Sequence, residues 1–152
     1  GDPLEILTDR EGEIILKKYS LIGELSGFSK QYAEALAQTS GHIVSITDRD
    51  QHIAVSGQGK KELLGKPLSK ALERMIHQRM SNCCSQKDKA FVELIPGEND
   101  AFQSEVICPI IAEGDAIGAV IIASRDEKYK MGEVEKKLAA AAAAFLGRQM
   151  EQ

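Results

Sequence analysis

Three cysteines and three histidines are the side chains most able to do chemistry in this chain of 152 residues. Cys83 and Cys84 are adjacent, and Cys108 stands apart from them. Thiols at such positions could bind a metal or cycle through a disulfide. Adjacent cysteines rarely meet disulfide geometry, however, and a metal site needs further ligands at suitable spacing. His77 is the nearest added ligand, and no fourth follows. An odd count without framework spacing fits reduced thiols in a cytoplasmic protein. His42, His52 and His77 are scattered. His42 and His52 can fall on adjacent strands, yet no Ser or Cys nucleophile with a carboxylate orienter accompanies them. Gly57-Gln58-Gly59-Lys60 lacks the length and context of a phosphate loop and reads as a strand-exit turn. No residue is therefore assigned to catalysis, and neither a metal nor a cofactor is expected.

The elements that must position these groups follow from periodicity. Leu21, Leu25, Phe28, Tyr32 and Ala35 recur at helical spacing behind a Ser20 cap, and Ser40-Gly41 ends that helix. His42 to Gly57 reads as a β-hairpin around Asp48-Arg49-Asp50-Gln51. Lys60 to Gly65 predicts one helical turn. Ser69 then caps a helix with Leu72, Met75, Ile76, Arg79 and Met80 on one side. Ser81 to Lys89 is polar and reads as a loop. Three strands are predicted at Ala90 to Ile95, Glu105 to Ile111 and Ala116 to Ser124, with Pro109 at a strand edge or bulge because it lacks an N–H. Met131 to Gln152 closes the chain as a helix, with Val134, Leu138, Ala141 and Phe145 repeating the stripe of the first helix. Its block Ala139 to Ala144 combines high helix propensity with little bulk.

Composition restricts the function. Hydrophobic residues make up 43% and charged residues 28%, which suits a folded domain with a real core. The net charge is −4, and nucleic-acid binding draws most of its affinity from Lys and Arg neutralising phosphates, so a DNA-binding face is not expected on this chain. No apolar run approaches the ~20 residues that a membrane helix needs, and no membrane partner is expected.

The start of the chain carries a further signal. Leu4 and Ile6 alternate with polar neighbours, Asp9-Arg10-Glu11-Gly12 supplies a turn, and Glu13 to Lys17 resumes a β-branched run. A lone hairpin is marginal in water. Residues 1–19 are thus expected to complete a domain whose other strands lie upstream or on another chain. "GDPLEI", the acidic turn ending in Gly, and "ILKKY" resemble the second half of the swapped-hairpin DNA-binding domain of AbrB-like transition-state regulators. "HIVSITDRD", "IAVSG", "KKELLGKPLS", "CPIIAEGDAIGAVIIAS", "MGEVE" and "AFLGRQMEQ" resemble, in order, the sporulation regulators of that family in which a DNA-binding arm precedes a GAF-like sensor.

That resemblance implies an α/β (α+β) fold. Residues 20–152 would form a GAF/PAS-like domain with a five-to-six-stranded antiparallel sheet and both terminal helices on one face. It implies a cytoplasmic protein of the developing forespore. The chain would pair with itself as a homodimer, or a tetramer when the arm is complete, and DNA would be met through N-terminal strands outside this chain. The expected dimer interface comprises Leu21, Leu25, Phe28, Tyr32, Val134, Leu138, Ala141 and Phe145. The expected site for a small-molecule effector lies between the sheet and the inserted helices, at Ser45, Thr47, Ser56, Met75 and Cys108, where short polar groups meet apolar cover. Two other readings stay open. One is a GAF-fold thiol enzyme of the free methionine sulfoxide reductase type, and the other is a purely structural oligomerisation domain.

Overall fold

The Val- and Ile-rich segments place themselves at the centre of one antiparallel sheet. Its strands are β1 (Ile43–Thr47), β2 (His52–Ser56), β3 (Asn82–Ser85), β4 (Ser104–Ala112) and β5 (Asp115–Ser124), in the order β2-β1-β5-β4-β3. The structure is a computed structural model that describes residues 26–97 and 102–151. The expected hairpin at 1–19, the Ser20 cap, Leu21 and Leu25 lie outside the described residues.

β5 is buried without interruption from Gly118 to Ser124, because both faces of the sheet are covered. The two-residue period of a strand then sends alternate side chains into two separate cores. Val120 and Ile122 join Val44, Ile46, Val106 and Ile110 on one face. Ala119, Ile121 and Ala123 join Ile43, Val55 and Ile107 on the other. Gly118 keeps β5 close to β1, since a Cβ there would run into the Thr47 carbonyl. Pro109 is tolerated in β4 because pairing with β3 ends at Ile107, which leaves the following edge open.

The first face carries α1 (residues 26–40) and α4 (Glu133–Gln149). The Glu135 carboxylate starts α4 by reaching back to the Gly132 N–H at 2.7 Å and accepting the Tyr129 hydroxyl at 2.7 Å. Burial works against its ionisation, but these bonds and nearby His42 hold its carboxyl below the usual range. α4 buries Ala139, Ala142, Ala143, Leu146 and Gly147. The little bulk of the Ala139 to Ala144 block lets half of it lie flat on the sheet, and Gly147 permits the closest approach, since a Cβ there would strike the Ile111 carbonyl.

The second face carries α2 (Lys60–Leu63), α3 (Lys70–His77) and the segment that leads from β3 toward β4. Ser69 caps α3 by accepting the Leu72 N–H at 3.1 Å. α3 is shorter than predicted: Arg79 turns to φ 58 and Met80 is exposed, so neither belongs to the helical stripe. Two strand expectations are also corrected. The apolar run Ala90 to Ile95 is not a strand, whereas the polar stretch Asn82–Ser85 is one, paired with β4.

Candidate functional site

Residues 91–95 are held across the second sheet face by three side chains from three different elements. Glu105 of β4 accepts the Val92 N–H at 2.8 Å. Ser69, the α3 cap, donates to the Glu93 carbonyl at 2.6 Å. His52 of β2 meets the Leu94 carbonyl through Nε2 at 2.8 Å. These bonds replace a ladder, which is why an apolar run with strand composition is not a strand. The result is a strap, with Leu94 buried against Leu63, Leu72 and Ile76 beneath it.

The strap fixes the chemistry of His52. Because Nε2 faces a carbonyl, it must carry the proton, and Nδ1 then accepts from the Ser45 hydroxyl at 2.7 Å. Burial lowers its affinity for a second proton. Thr47 is likewise committed, since its Oγ1 donates to the Asp48 carbonyl at 2.8 Å and accepts the Ala119 N–H at 3.1 Å.

Glu105 is the group left incomplete. It is wholly buried, and while Oε1 accepts from Val92 and from Asn82 Nδ2 at 2.9 Å, Oε2 has no partner. Burial pushes its carboxyl up to about 7 despite these bonds. Nothing in the sequence distinguished Glu105 from the other acidic residues. Its inward position follows from β4 register alone, through pairing with Ala123 and Cys84.

The five expected ligand residues do not form one site. Ser45, Thr47 and Met75 share the strap side. Ser56 pairs with Val44, and Cys108 with Val120, so both lie on the opposite face under the terminal helices. The strand period accounts for this, because a position of the wrong parity points through the sheet. The space expected for a ligand is occupied by the side chains of Leu63, Leu72, Ile76, Leu94 and Phe102.

All three thiols are free and raised in pKa by burial, Cys84 to about 12 with Glu105 and Asp88 adding to the effect. Such thiols are protonated at neutral pH and are poor nucleophiles. Among the described residues, no group of three or more His, Cys, Asp or Glu side chains could hold a metal ion.

The outer side of α1 and α4 is the other notable surface. The core takes Ala33, Leu36 and Ala37 from α1 and leaves Phe28 40% exposed. On α4 it leaves Val134 66% and Phe145 41% exposed, Ala141 exposed and Leu138 partly so. The Tyr32 and Phe145 rings meet at 5.2 Å and join the two exposed stripes. Of the expected stripe, Phe28, Val134, Ala141 and Phe145 face away from the sheet, whereas Tyr32 and Leu138 pack partly against the core.

A family described as "Stage V sporulation protein T C-terminal, transcription factor" matches residues 24–151. The chain is 53% identical to stage V sporulation protein T of Bacillus subtilis (strain 168) over all 152 residues, which spans 83% of that protein. The chain belongs to the stage V sporulation protein T family. Solved structures extend the likeness at the level of fold. The GAF domain of an Acinetobacter phosphoenolpyruvate-protein phosphotransferase is 13% identical, with TM-score 0.65 over 91% of this chain and 92% of that one. Residues 122 to 287 of a methyl-accepting chemotaxis protein give 18% and 0.67, covering 87% and 93%. The type II free methionine-R-sulfoxide reductase of Thermoplasma acidophilum gives 13% and 0.60, covering 83% and 94%. At such identities only the GAF-like fold is shared, so the stage V sporulation protein T family rather than the reductase indicates the role, which is a regulatory one. Among the described residues, no helix is long and apolar enough to cross a membrane.

Proposed function

We propose that this domain pairs two copies of a sporulation transcription regulator and relays a small-molecule signal to its DNA-binding arm. The pairing rests on one observation, the apolar stripe that α1 and α4 leave outside the core. Large apolar side chains on adjacent helices, recurring at bundle spacing, bury well against a second copy of themselves. The pairing face takes in Leu21 and Leu25 together with Phe28, Tyr32, Val134, Leu138, Ala141 and Phe145. DNA contact belongs to the arm that residues 1–19 resemble, and the complete arm would join two such pairs into a tetramer. Substituting Phe28→Asp together with Phe145→Asp tests the pairing. Both rings lie outside the core cluster, so the chain should stay folded while light scattering reports a monomer. A folded, dimeric variant would show that the stripe is not the interface.

The effector part of this reading is favoured by Glu105, whose unpartnered oxygen lies beneath a strap that side chains, not a ladder, hold in place. A small, weakly polar metabolite would enter where Ser45, Thr47 and Met75 face the strap and displace part of the apolar filling. Bound ligand raises stability as RT ln(1 + [L]/Kd), so a thermal-shift screen of metabolites reads it directly. Met75→Trp should abolish any such shift and leave the pair intact. A hit that stabilises Met75→Trp as well as the parent would place the effector elsewhere.

A further inference from the structure

An open cleft of about 980 Å³ runs between the β1–β2 turn, the outer side of α3 and the β4–β5 turn. Four cations line it: Arg49, Lys70, Arg74 and Arg79. All four are exposed, and among the described residues none of them forms an ion pair. Carboxylates are within the same cleft, at Asp50, Glu73 and Asp115, yet the guanidiniums do not turn to them. Arg49 instead donates through Nε to the Ala116 carbonyl at 2.9 Å, and Arg79 donates through Nη2 to the Gly114 carbonyl. A guanidinium has five N–H donors in a rigid fork. Tying one of them to a neutral carbonyl orients the fork and leaves its charge unneutralised, with donors to spare.

The backbone supports the same reading. Arg79 sits at φ 58, a left-handed conformation that favours glycine, and it carries a long cationic side chain there at a cost in backbone energy. Lys70 and Arg74 are one turn apart on α3, so they project together, while Leu72 and Ile76 of the same helix face the sheet. The cations therefore arrive from the β1–β2 turn and from α3 with the turn that follows it, which the fold holds in fixed relation. On a chain of net charge −4 this is a local inversion of sign.

We propose that this cleft is a binding site for a small polyanion, a metabolite carrying two or more carboxylate or phosphate groups. Separated cations with planar donors suit oxyanions held at more than one point. The interleaved carboxylates decide the size of the ligand. Duplex DNA would bring its unbroken row of phosphates against Asp50, Glu73 and Asp115 as well, whereas a small molecule can place its anionic groups between them. The site lies on the solvent side of α3 and is separate from the strap side.

Pyrophosphate and citrate are suitable probes, added to the whole chain at low salt and followed by amide chemical shifts. The expected result is saturable shifts confined to Arg49, Lys70, Arg74, Arg79 and their neighbours. Affinity should fall as salt rises, because exposed charges are screened. Arg49→Gln with Arg74→Gln should weaken binding roughly tenfold or more for each charge removed. These side chains are exposed, so the fold should persist, as unchanged shifts elsewhere would show. Arg79→Gly is the second variant: it relieves the left-handed backbone, so it should bind more weakly without unfolding. Preference for pyrophosphate over citrate, or the reverse, separates phosphate from carboxylate ligands. The proposal is overturned if neither probe moves these amides at about 10 mM, where even a millimolar site would be mostly filled. It is also overturned if the variants bind as the parent does, or if a DNA duplex fills the cleft and the probes fail to compete.

Discussion

Replacing Glu105 by Gln tests whether the strap really rests on an incompletely partnered carboxyl. In the folded chain burial raises this group from its ordinary 4.5 to about 7, so the native state holds the proton more tightly than the unfolded state. The sign follows by linkage. Glu105 contributes its full stability below pH 4.5 and loses that contribution as pH rises through 7. The gap corresponds to roughly 3 kcal/mol in all, of which roughly 2–3 should be lost between pH 5 and pH 8. Gln is neutral at both values, and its oxygen can still accept the Val92 and Asn82 protons that Oε1 accepts now. Urea melts at pH 5 and pH 8, at one chain concentration and with reductant present, give the four stabilities needed. The variant should nearly match the parent at pH 5 and exceed it at pH 8 by roughly 2 kcal/mol. His52 titrates in the opposite sense over an overlapping range, but it is common to both chains and cancels in the difference. If the variant and parent differ by the same amount at both values, Oε2 finds water or a counter-charge in solution, and the strap does not depend on it.

Three further outcomes are expected. Gly147→Ala should destabilise by roughly 1–3 kcal/mol in urea melts, although Ala is the better helix former, because the new Cβ meets the Ile111 carbonyl; a more stable variant would show that α4 sits farther from β4. Ser69→Ala removes both the α3 cap and the bond to the Glu93 carbonyl, so it should cost roughly 1–3 kcal/mol and speed amide exchange through residues 91–95. His52→Leu should leave the Ser45 hydroxyl and Leu94 carbonyl unpaired; in the parent, burial lowers the His52 pKa below its ordinary 6.5, so stability falls as pH drops below 6.5, and that part of the acid sensitivity should vanish in the variant.

What could be read from the sequence divides along physical lines. Strands β1, β2, β4 and β5 carry strong β-branched runs bounded by turn residues, and each forms within a residue or two of its expected limits. Both terminal helices form where the 3.6-residue period places them, within the described residues. Periodicity says which residues share a face, but not which of two faces meets the sheet. On α4 the larger side chains of Val134 and Phe145 point outward, while Ala139, Ala142 and Gly147 point inward, because a helix lying close on a sheet needs small residues. Residues 82–95 depart from their expected structure for a different reason. β3 is an edge strand with polar, half-buried positions, while 91–95 is no more buried than β3 except at Leu94 but packs Phe91, Val92 and Ile95 against the second core. Apolar composition there reflects packing on the core, which a strap held by side chains achieves as well as a strand does.

The candidate site was the least legible part, since it depends on parity within strands and on bonds between distant segments. Ser45 and Thr47 lie one residue from Val44 and Ile46, yet each pair faces a different core. This places the strap and the terminal helices back to back across a single sheet. β1 is buried at all five positions, so it has no solvent side into which a displaced side chain could relax. Close-packed interiors transmit strain instead of absorbing it. A ligand that moved the strap, His52 and Ser45 would therefore act on Val44 and Ile46, and through them on the packing of α1 and α4. It can shift that packing only by as much as its affinity differs between the two arrangements. Under the proposed function, the thickness of one sheet is the distance over which an input would have to act on the pairing face. No contiguous path longer than the alternation of β1 is needed.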